Sequence, residues 1–152
     1  MLRFLRLLAV CGTLSLALTG GCASKPPLLK GAIKTEAVTN PDVTGRASPV
    51  VVRVYELKSL ALFNTADFFS LFEKERETLG TELVGREEYD LRPAETRPYQ
   101  RQLQPDTRFI GVVAAFRDLE KSSWRASVAV PQKSSATLTI GIDAKAVTVV
   151  LK

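Results

Sequence analysis

The chain contains no histidine, and that absence removes much of the chemistry open to a small protein. A Ser-His-acid triad, a Cys-His pair and most zinc sites all require an imidazole. Cysteine is nearly as scarce, with two in 152 residues, at Cys11 and Cys22, which is too few for a disulfide framework. An excess of one charge is missing too: 21 Lys and Arg stand against 16 Asp and Glu, and their dispersal gives no basic face for nucleic acid. No repeat, low-complexity tract, phosphate-binding glycine loop or dinucleotide fingerprint interrupts the chain. Carboxylates do cluster, at Glu73, Glu75 and Glu77 and again at Glu87, Glu88 and Asp90. Lys and Arg intersperse or follow each group, which is the pattern of a solvated face. The residues therefore predict no catalytic group, no metal ligand and no cofactor.

What is present begins at the amino terminus. Arg3 and Arg6 precede an uncharged, Leu-rich run over residues 7–18, and Thr19-Gly20-Gly21-Cys22 follows with small residues where a signal peptidase needs an extended backbone. Gly20-Gly21 and Lys25-Pro26-Pro27 cut the run short of the roughly 20 apolar residues a membrane-spanning helix needs. The segment resembles a bacterial lipoprotein signal with Thr19 in a place usually held by leucine, and Cys22 is the residue that would be acylated and become the first of the mature chain. Cys11, inside the apolar run, is the poorer candidate. Cleavage before Cys22 removes 21 of the 152 residues and leaves 131, with 19 basic against 16 acidic side chains. That is one ordinary domain with room for a core. A mature chain whose only cysteine is its lipidated terminus forms no internal disulfide, so stability must come from packing.

Residues 22–31 read as a tether, since Pro26 and Pro27 stiffen it and Pro donates no ladder hydrogen bond. The folded domain is expected over 32–152, opening with a weakly alternating strand at residues 33–38. Residues 39–49, TNPDVTGRASP, carry the Asn, Pro, Asp and Gly of a loop. VVVRVYEL at 50–57 is a β-branched strand with Val50, Val52 and Val54 on one face and Arg53, Tyr55 and Leu57 on the other. One helix is predicted next, capped at Thr65 or Asp67, with Phe68, Leu71, Phe72, Glu75 and Leu79 at helical spacing and Phe69 widening the apolar stripe. Tyr89 and Leu91 belong to a strand that Pro93 stops, and residues 99–103 form a polar edge strand. Residues 108–118 are apolar on both faces, which places that strand inside a sheet covered on its second side by the Phe-rich helix. Trp124, Ala126, Val128 and Val130, then Leu138, Ile140 and Ile142, then Val147, Val149 and Leu151 complete the alternating set. About eight short strands and one helix make a β-sandwich the economical fold.

An ordered series of segments is similar to one known family. NPDVTGRASPVVVRVYEL (40–57), LFNTADFFSLF (62–72), Leu79-Gly80, IGVVAAFRD (110–118) and Trp124-Arg125 resemble the TssJ (SciN) outer-membrane lipoproteins of type VI secretion systems. The resemblance implies a transthyretin-like sandwich of two four-stranded antiparallel sheets with a short helical insertion. It implies an anchor in the outer membrane through N-terminal acyl chains, facing the periplasm. It also implies a partner: the periplasmic C-terminal region of the inner-membrane protein TssM, within a complex with TssL. The family's contact loop falls between the first two strands, so Asn40, Asp42, Val43, Thr44 and Arg46 become the candidate partner residues.

Phe68, Phe69, Arg117 and Arg125 are secondary candidates. The phenylalanines also suit docking of the helix on the sheet, and Arg117 and Arg125 also suit internal ion pairs with Asp118 or Glu120. Gly111, inside a strand, needs close backbone approach or relief for a bulky neighbour such as Trp124 or Phe116. The alternative function is a periplasmic binder of a small molecule or glycan, for which the aromatics at hand are Tyr55, Tyr89, Tyr99 and Trp124.

Overall fold

A computed structural model describes residues 26–152 apart from residue 133; the leader, Cys11 and Cys22 lie outside the described residues. Eight strands form two four-stranded sheets. The first has the order β4-β1-β7-β8, built from β1 (Leu28–Thr35), β4 (Thr96–Gln102), β7 (Ala136–Ile142) and β8 (Val147–Leu151). The second has the order β3-β2-β5-β6, built from β2 (Val50–Leu57), β3 (Leu83–Leu91), β5 (Phe109–Ala114) and β6 (Arg125–Ala129). All pairings are antiparallel except β1 with β7, which run parallel. Among the described residues no helix is long and apolar enough to cross a membrane.

The first strand starts earlier than the prolines suggest. β1 covers Leu28–Thr35, so the expected tether at 22–31 loses its last four residues to the sheet, and the strand expected at 33–38 ends at Thr35 instead. The reason lies in pairing partners far along the chain. Leu28 to Lys34 register against Gln102 to Thr96 of β4, and Leu29 and Ile33 are fully buried between the sheets. Gly31 makes this possible, because a Cβ there would stand 1.7 Å from the carbonyl oxygen of Leu138 in β7. The prolines are held as well: Pro27 O accepts from the Leu103 backbone N–H at 3.0 Å and from the Gln102 amide at 3.2 Å, and that amide also donates to Pro26 O.

Between the sheets lies the main core. Val50, Val52, Val54, Ile110, Val112, Ala114 and Phe116 face Leu29, Ile33, Leu138, Ile140, Ile142 and Val147. Each such side chain contributes about 1.5–3 kcal/mol on burial. The second face of β2 and β5, carrying Tyr55, Leu57 and Val113, packs against Phe63, Phe68, Leu71 and Leu79, as the two apolar faces of residues 108–118 require.

That second layer consists of three short helices in place of the single one expected: α1 (Ala61–Thr65), α2 (Phe68–Glu73) and α3 (Glu75–Leu79), followed by a 3-10 turn at Gly80–Glu82. Asp67 is the cap, its carboxylate accepting from the Ser70 backbone N–H at 3.0 Å. The chain breaks at Lys74, where φ is −130° and ψ 36°, because the layer is bound to the sheet at points a straight helix cannot meet together. Arg53 donates to Phe72 O, lies 3.8 Å over the Phe72 ring and pairs with Glu75 at 3.0 Å and Glu88 at 2.6 Å. Its guanidinium holds the Glu88 carboxyl below the ordinary range. Arg125 donates to Phe63 O at 2.9 Å and Ala66 O at 2.7 Å, satisfying the carbonyls at the end of α1. The carboxylate clusters thus supply ion pairs that fasten helices to sheet.

Gly111 has its cause in this layer. A Cβ there would meet Phe63 Cζ at 2.8 Å and Leu57 Cδ1 at 2.9 Å, so the bulky neighbour is Phe63 and not Trp124 or Phe116. Trp124 is half-buried at the junction of the two clusters, edge-on to Phe68 at 5.4 Å; it does not point wholly into the space between the sheets. Gly111→Ala should therefore lose about 1–3 kcal/mol, the usual cost of overpacking a closed core. The check is the midpoint of urea unfolding with an unchanged slope.

Candidate interaction loop

Residues 36–49 leave the sandwich where β1 ends, and the chain ties them down at two levels. At the base, Thr39 is fully buried, its hydroxyl donating to Glu36 O at 2.8 Å and Ile142 O at 3.0 Å. Asn40 follows with φ at 49°, a left-handed conformation that asparagine tolerates better than most residues. Its side-chain amide donates to Pro49 O at 2.7 Å, its side-chain carbonyl accepts the Arg117 backbone N–H at 2.8 Å, and its own N–H reaches Ala144 O at 3.2 Å. One residue therefore staples the two ends of the loop to each other, to the segment after β5 and to the β7–β8 turn. Asn40 is only 4% exposed, which moves it from candidate contact to clamp: both ends of its side-chain amide and its backbone N–H are spent inside the fold.

The tip is organised by a single carboxylate. Asp42 accepts from the Thr44 N–H at 2.9 Å, the Thr44 hydroxyl at 2.7 Å, the Arg46 N–H at 3.0 Å and Arg46 Nε at 2.9 Å. Asp42 N–H in turn donates to Arg46 O at 2.8 Å, and Gly45, with φ at 83°, donates to Asp42 O at 2.9 Å. An aspartate that gathers the N–H groups two and four residues ahead builds a self-contained turn. These donors, the Thr44 hydroxyl foremost, lower the Asp42 carboxyl from its ordinary 3.8 to about 2. Asp42 and Thr44 thus serve the loop's own architecture, and what the loop shows to solvent is Val43, fully exposed, and the Arg46 side chain, 81% exposed. An apolar side chain held out on a rigid turn loses little conformational entropy when a partner covers it.

Around the tip, distant parts of the chain contribute the rest of the surface. Pro41, Val43, Arg117, Asp118, Lys121 and Lys145 border a shallow depression beside the loop. Asp118 pairs with Lys145 at 3.1 Å and Lys121 at 3.8 Å. Arg117 is exposed and forms none of the ion pairs among the described residues, neither with Asp118 nor with Glu120. Lys121 and Lys145 lie more than 70 positions beyond the loop, and no local signal in the chain marks them as its neighbours.

The other candidates separate in the same way. Phe68 is buried and stacks on Phe72 at 5.0 Å, whereas Phe69 is 60% exposed and touches Phe68 edge-on at 5.4 Å. Arg125 is committed to the carbonyls of Phe63 and Ala66. Of the aromatics available for a glycan, Tyr55 is fully buried with its hydroxyl on Leu71 O at 3.0 Å, Tyr99 is buried, Tyr89 packs beside Tyr99 at 6.4 Å and donates to Glu87 at 3.0 Å, and Trp124 packs on Phe68. Tyr55 and Tyr99 are therefore closed to a sugar, and Tyr89 and Trp124 are half-buried against other rings.

Comparison with known proteins agrees with this architecture. The model of the type VI secretion lipoprotein family, T6SS-SciN (VasD, EvfM, TssJ), matches residues 28–145. No protein of curated function matches the chain. The crystal structure of the T6SS lipoprotein TssJ1 from Pseudomonas aeruginosa is 37% identical, with 84% of this chain and 97% of that one covered and a TM-score of 0.81. Serratia marcescens Lip, a membrane-bound component of the type VI secretion system, is 26% identical over 85% of this chain and 98% of its own, with a TM-score of 0.70. A chain in the structure of the T6SS protein TssM C-terminal domain from EAEC has the same fold, at 24% identity, 81% and 97% coverage and a TM-score of 0.67. The β-sandwich, its helical layer and the matched segment from β1 to the β7–β8 turn make this chain a member of the type VI secretion lipoprotein family, T6SS-SciN (TssJ).

Proposed function

We propose that the chain is an outer-membrane lipoprotein, acylated at Cys22 and facing the periplasm, whose work is to bind the periplasmic C-terminal region of TssM and so help assemble the TssJ-TssL-TssM complex. The observation that carries this reading is the clamped loop, with Val43 exposed at the apex of a turn that Asp42 organises, in a member of the type VI lipoprotein family. Val43 is the apolar anchor, Arg117 flanks it as a cation for a partner carboxylate, and Arg46 meets the partner while still ion-paired with Asp42. Phe69 offers a second, smaller contact. The role is one of binding without chemistry, in keeping with a chain that has no histidine, the commonest general base.

Three outcomes test it. Val43→Asp in the chain lacking the leader and Cys22 should weaken binding to the TssM C-terminal fragment at least tenfold, about 1.4 kcal/mol, because interface energy concentrates in a few central residues. Its melting temperature should not change. Normal titration by this well-folded variant would remove the loop from the interface.

Asp42 should titrate near 2 in the folded domain, below its ordinary 3.8. A depressed carboxyl contributes order that is fully present above its ordinary value and is lost as the pH falls through the folded one. Carboxyl chemical shifts followed by NMR should show this midpoint, and the Thr44 and Arg46 amides should move with it. In Asp42→Asn those amides should be insensitive to pH between 4 and 2.

Cys22→Ser should release the protein into the soluble periplasmic fraction, since stable anchoring needs more than one acyl chain and this variant carries none. Sucrose-gradient fractionation of the unaltered chain should find it in the outer membrane.

A further inference from the structure

The two ends of β1 define two poles of the domain. At its start, Leu28 pairs with Gln102 and Leu29 with Ala136, and the same pole holds the far end of β8, where Lys152 and Thr137 exchange backbone hydrogen bonds at 2.7 and 3.0 Å. The second sheet ends there too, with Arg108 N–H donating to Leu57 O and Val130 N–H to Arg108 O. At the other end, Thr35 registers with Ile142, and residues 36–49 pack on the β7–β8 turn and on Arg117. β1 crosses the domain in eight residues, or roughly 23 Å at a strand's rise per residue. The loop therefore stands at one pole and the chain enters at the other.

The leash to the membrane is shorter than that strand. Pro26 O and Pro27 O are both gripped by the Gln102 amide, and Pro27 O also by the Leu103 N–H, so only Ala23, Ser24 and Lys25 separate Cys22 from the held backbone. Four Cα steps span at most about 14 Å when fully extended. A domain of about 23 Å along its strands cannot turn over on such a leash to set its loop pole on the bilayer. The exposed side chains of the entry pole include the cations Lys58, Arg108 and Lys152; Asp106 offsets Lys58 at 2.8 Å and one nitrogen of Arg108 donates to Pro105 O and Thr107 O, leaving Lys152 and the remaining donors of Arg108 for lipid phosphates.

We propose that the domain stands on the membrane with its entry pole, around Leu28, Gln104, Arg108 and Lys152, against the lipid headgroups, and holds the loop at residues 39–49 roughly 23 Å out from them. The surface partner is thus a phospholipid headgroup layer, and a periplasmic partner must reach to within that height of the membrane to engage Val43. This inference rests on acylation at Cys22 and deepens that reading by fixing which surface faces the lipid.

The test uses the mature acylated chain in vesicles of phosphatidylethanolamine and phosphatidylglycerol that carry a spin-label quencher on the headgroup. Acylation consumes the Cys22 thiol and cleavage removes Cys11, so an introduced cysteine is the single reactive thiol. Gln104→Cys at the entry pole and Val43→Cys at the loop tip are each labelled with a thiol-reactive fluorophore. The Gln104 label should be quenched at least twofold more than the Val43 label, and a twelve-residue Gly-Ser insertion between Lys25 and Pro26 should bring the two towards equality. Equal quenching in the uninserted chain, with protein that floats with the vesicles, overturns the orientation while leaving the anchor intact. Failure to float with the vesicles overturns acylation at Cys22 and the orientation with it. A quenching ratio unchanged by the insertion overturns the role given to the leash.

Discussion

The structure depends on β1 sitting between an antiparallel neighbour and a parallel one with no side chain at Gly31. A Cβ at that position would lie inside the Leu138 carbonyl, so the first sheet closes only because glycine lets the two backbones meet. Once β1 is seated, Leu29 and Ile33 fill the space between the sheets, and the chain is committed to enter at one pole and to begin its first loop at the other. The parallel β1–β7 pairing also brings the β7–β8 turn beside that loop, where Thr39 and Asn40 bind it through Ile142 O and Ala144 O. Sheet closure and the siting of the candidate interface follow from one contact between backbones.

The second sheet poses a different problem, since β2 and β5 are apolar on both faces and one sheet cannot cover both. The helical layer over Tyr55, Leu57 and Val113 answers it, and its three short segments are each fastened separately. Arg53 takes the end of α2 through Phe72 O and its ring, and Arg125 takes the end of α1 through Phe63 O and Ala66 O. Arginine suits both places because its planar fork donates in several directions while its stem packs on apolar surface. Removing either would leave carbonyls unpaired above a core, which costs more than the hydrogen bond itself is worth.

The loop combines rigidity with exposure. Its base is buried at Thr39 and Asn40 and hydrogen-bonded to the fold, its tip is folded around Asp42, and the large apolar side chain offered to solvent at that tip is Val43. A flexible loop of the same length would pay ordering entropy on binding, and this one has paid it on folding. The acids and bases around it are mostly paired with one another, through Asp42 with Arg46 and Asp118 with Lys145, leaving Arg117 as the cation whose backbone is pinned by Asn40 and whose side chain is open.

Alternation and punctuation were enough to read the β-sandwich, the strand at Val50–Leu57 with its two faces, the loop at 39–49 and the two-sided burial of residues 108–118, because each depends on neighbours in the chain; the structure chose Asp67 over Thr65 as the cap. Tertiary structure alone decided the rest. β1 begins at Leu28 because β4 and β7 receive it; the prolines before it give no sign of this, since the Gln102 and Leu103 donors that hold them lie about 75 residues away. The helix is cut into three because Arg53 and Arg125 pull on it from different strands. Asn40 reads as a loop residue open to a partner, yet its φ, its burial and its three attachments make it a clamp, and those attachments reach to Pro49, Arg117 and Ala144. A sequence carries periodicity and turn chemistry locally, but the partners of a buried polar group are chosen by the fold, and no spacing along the chain encodes them.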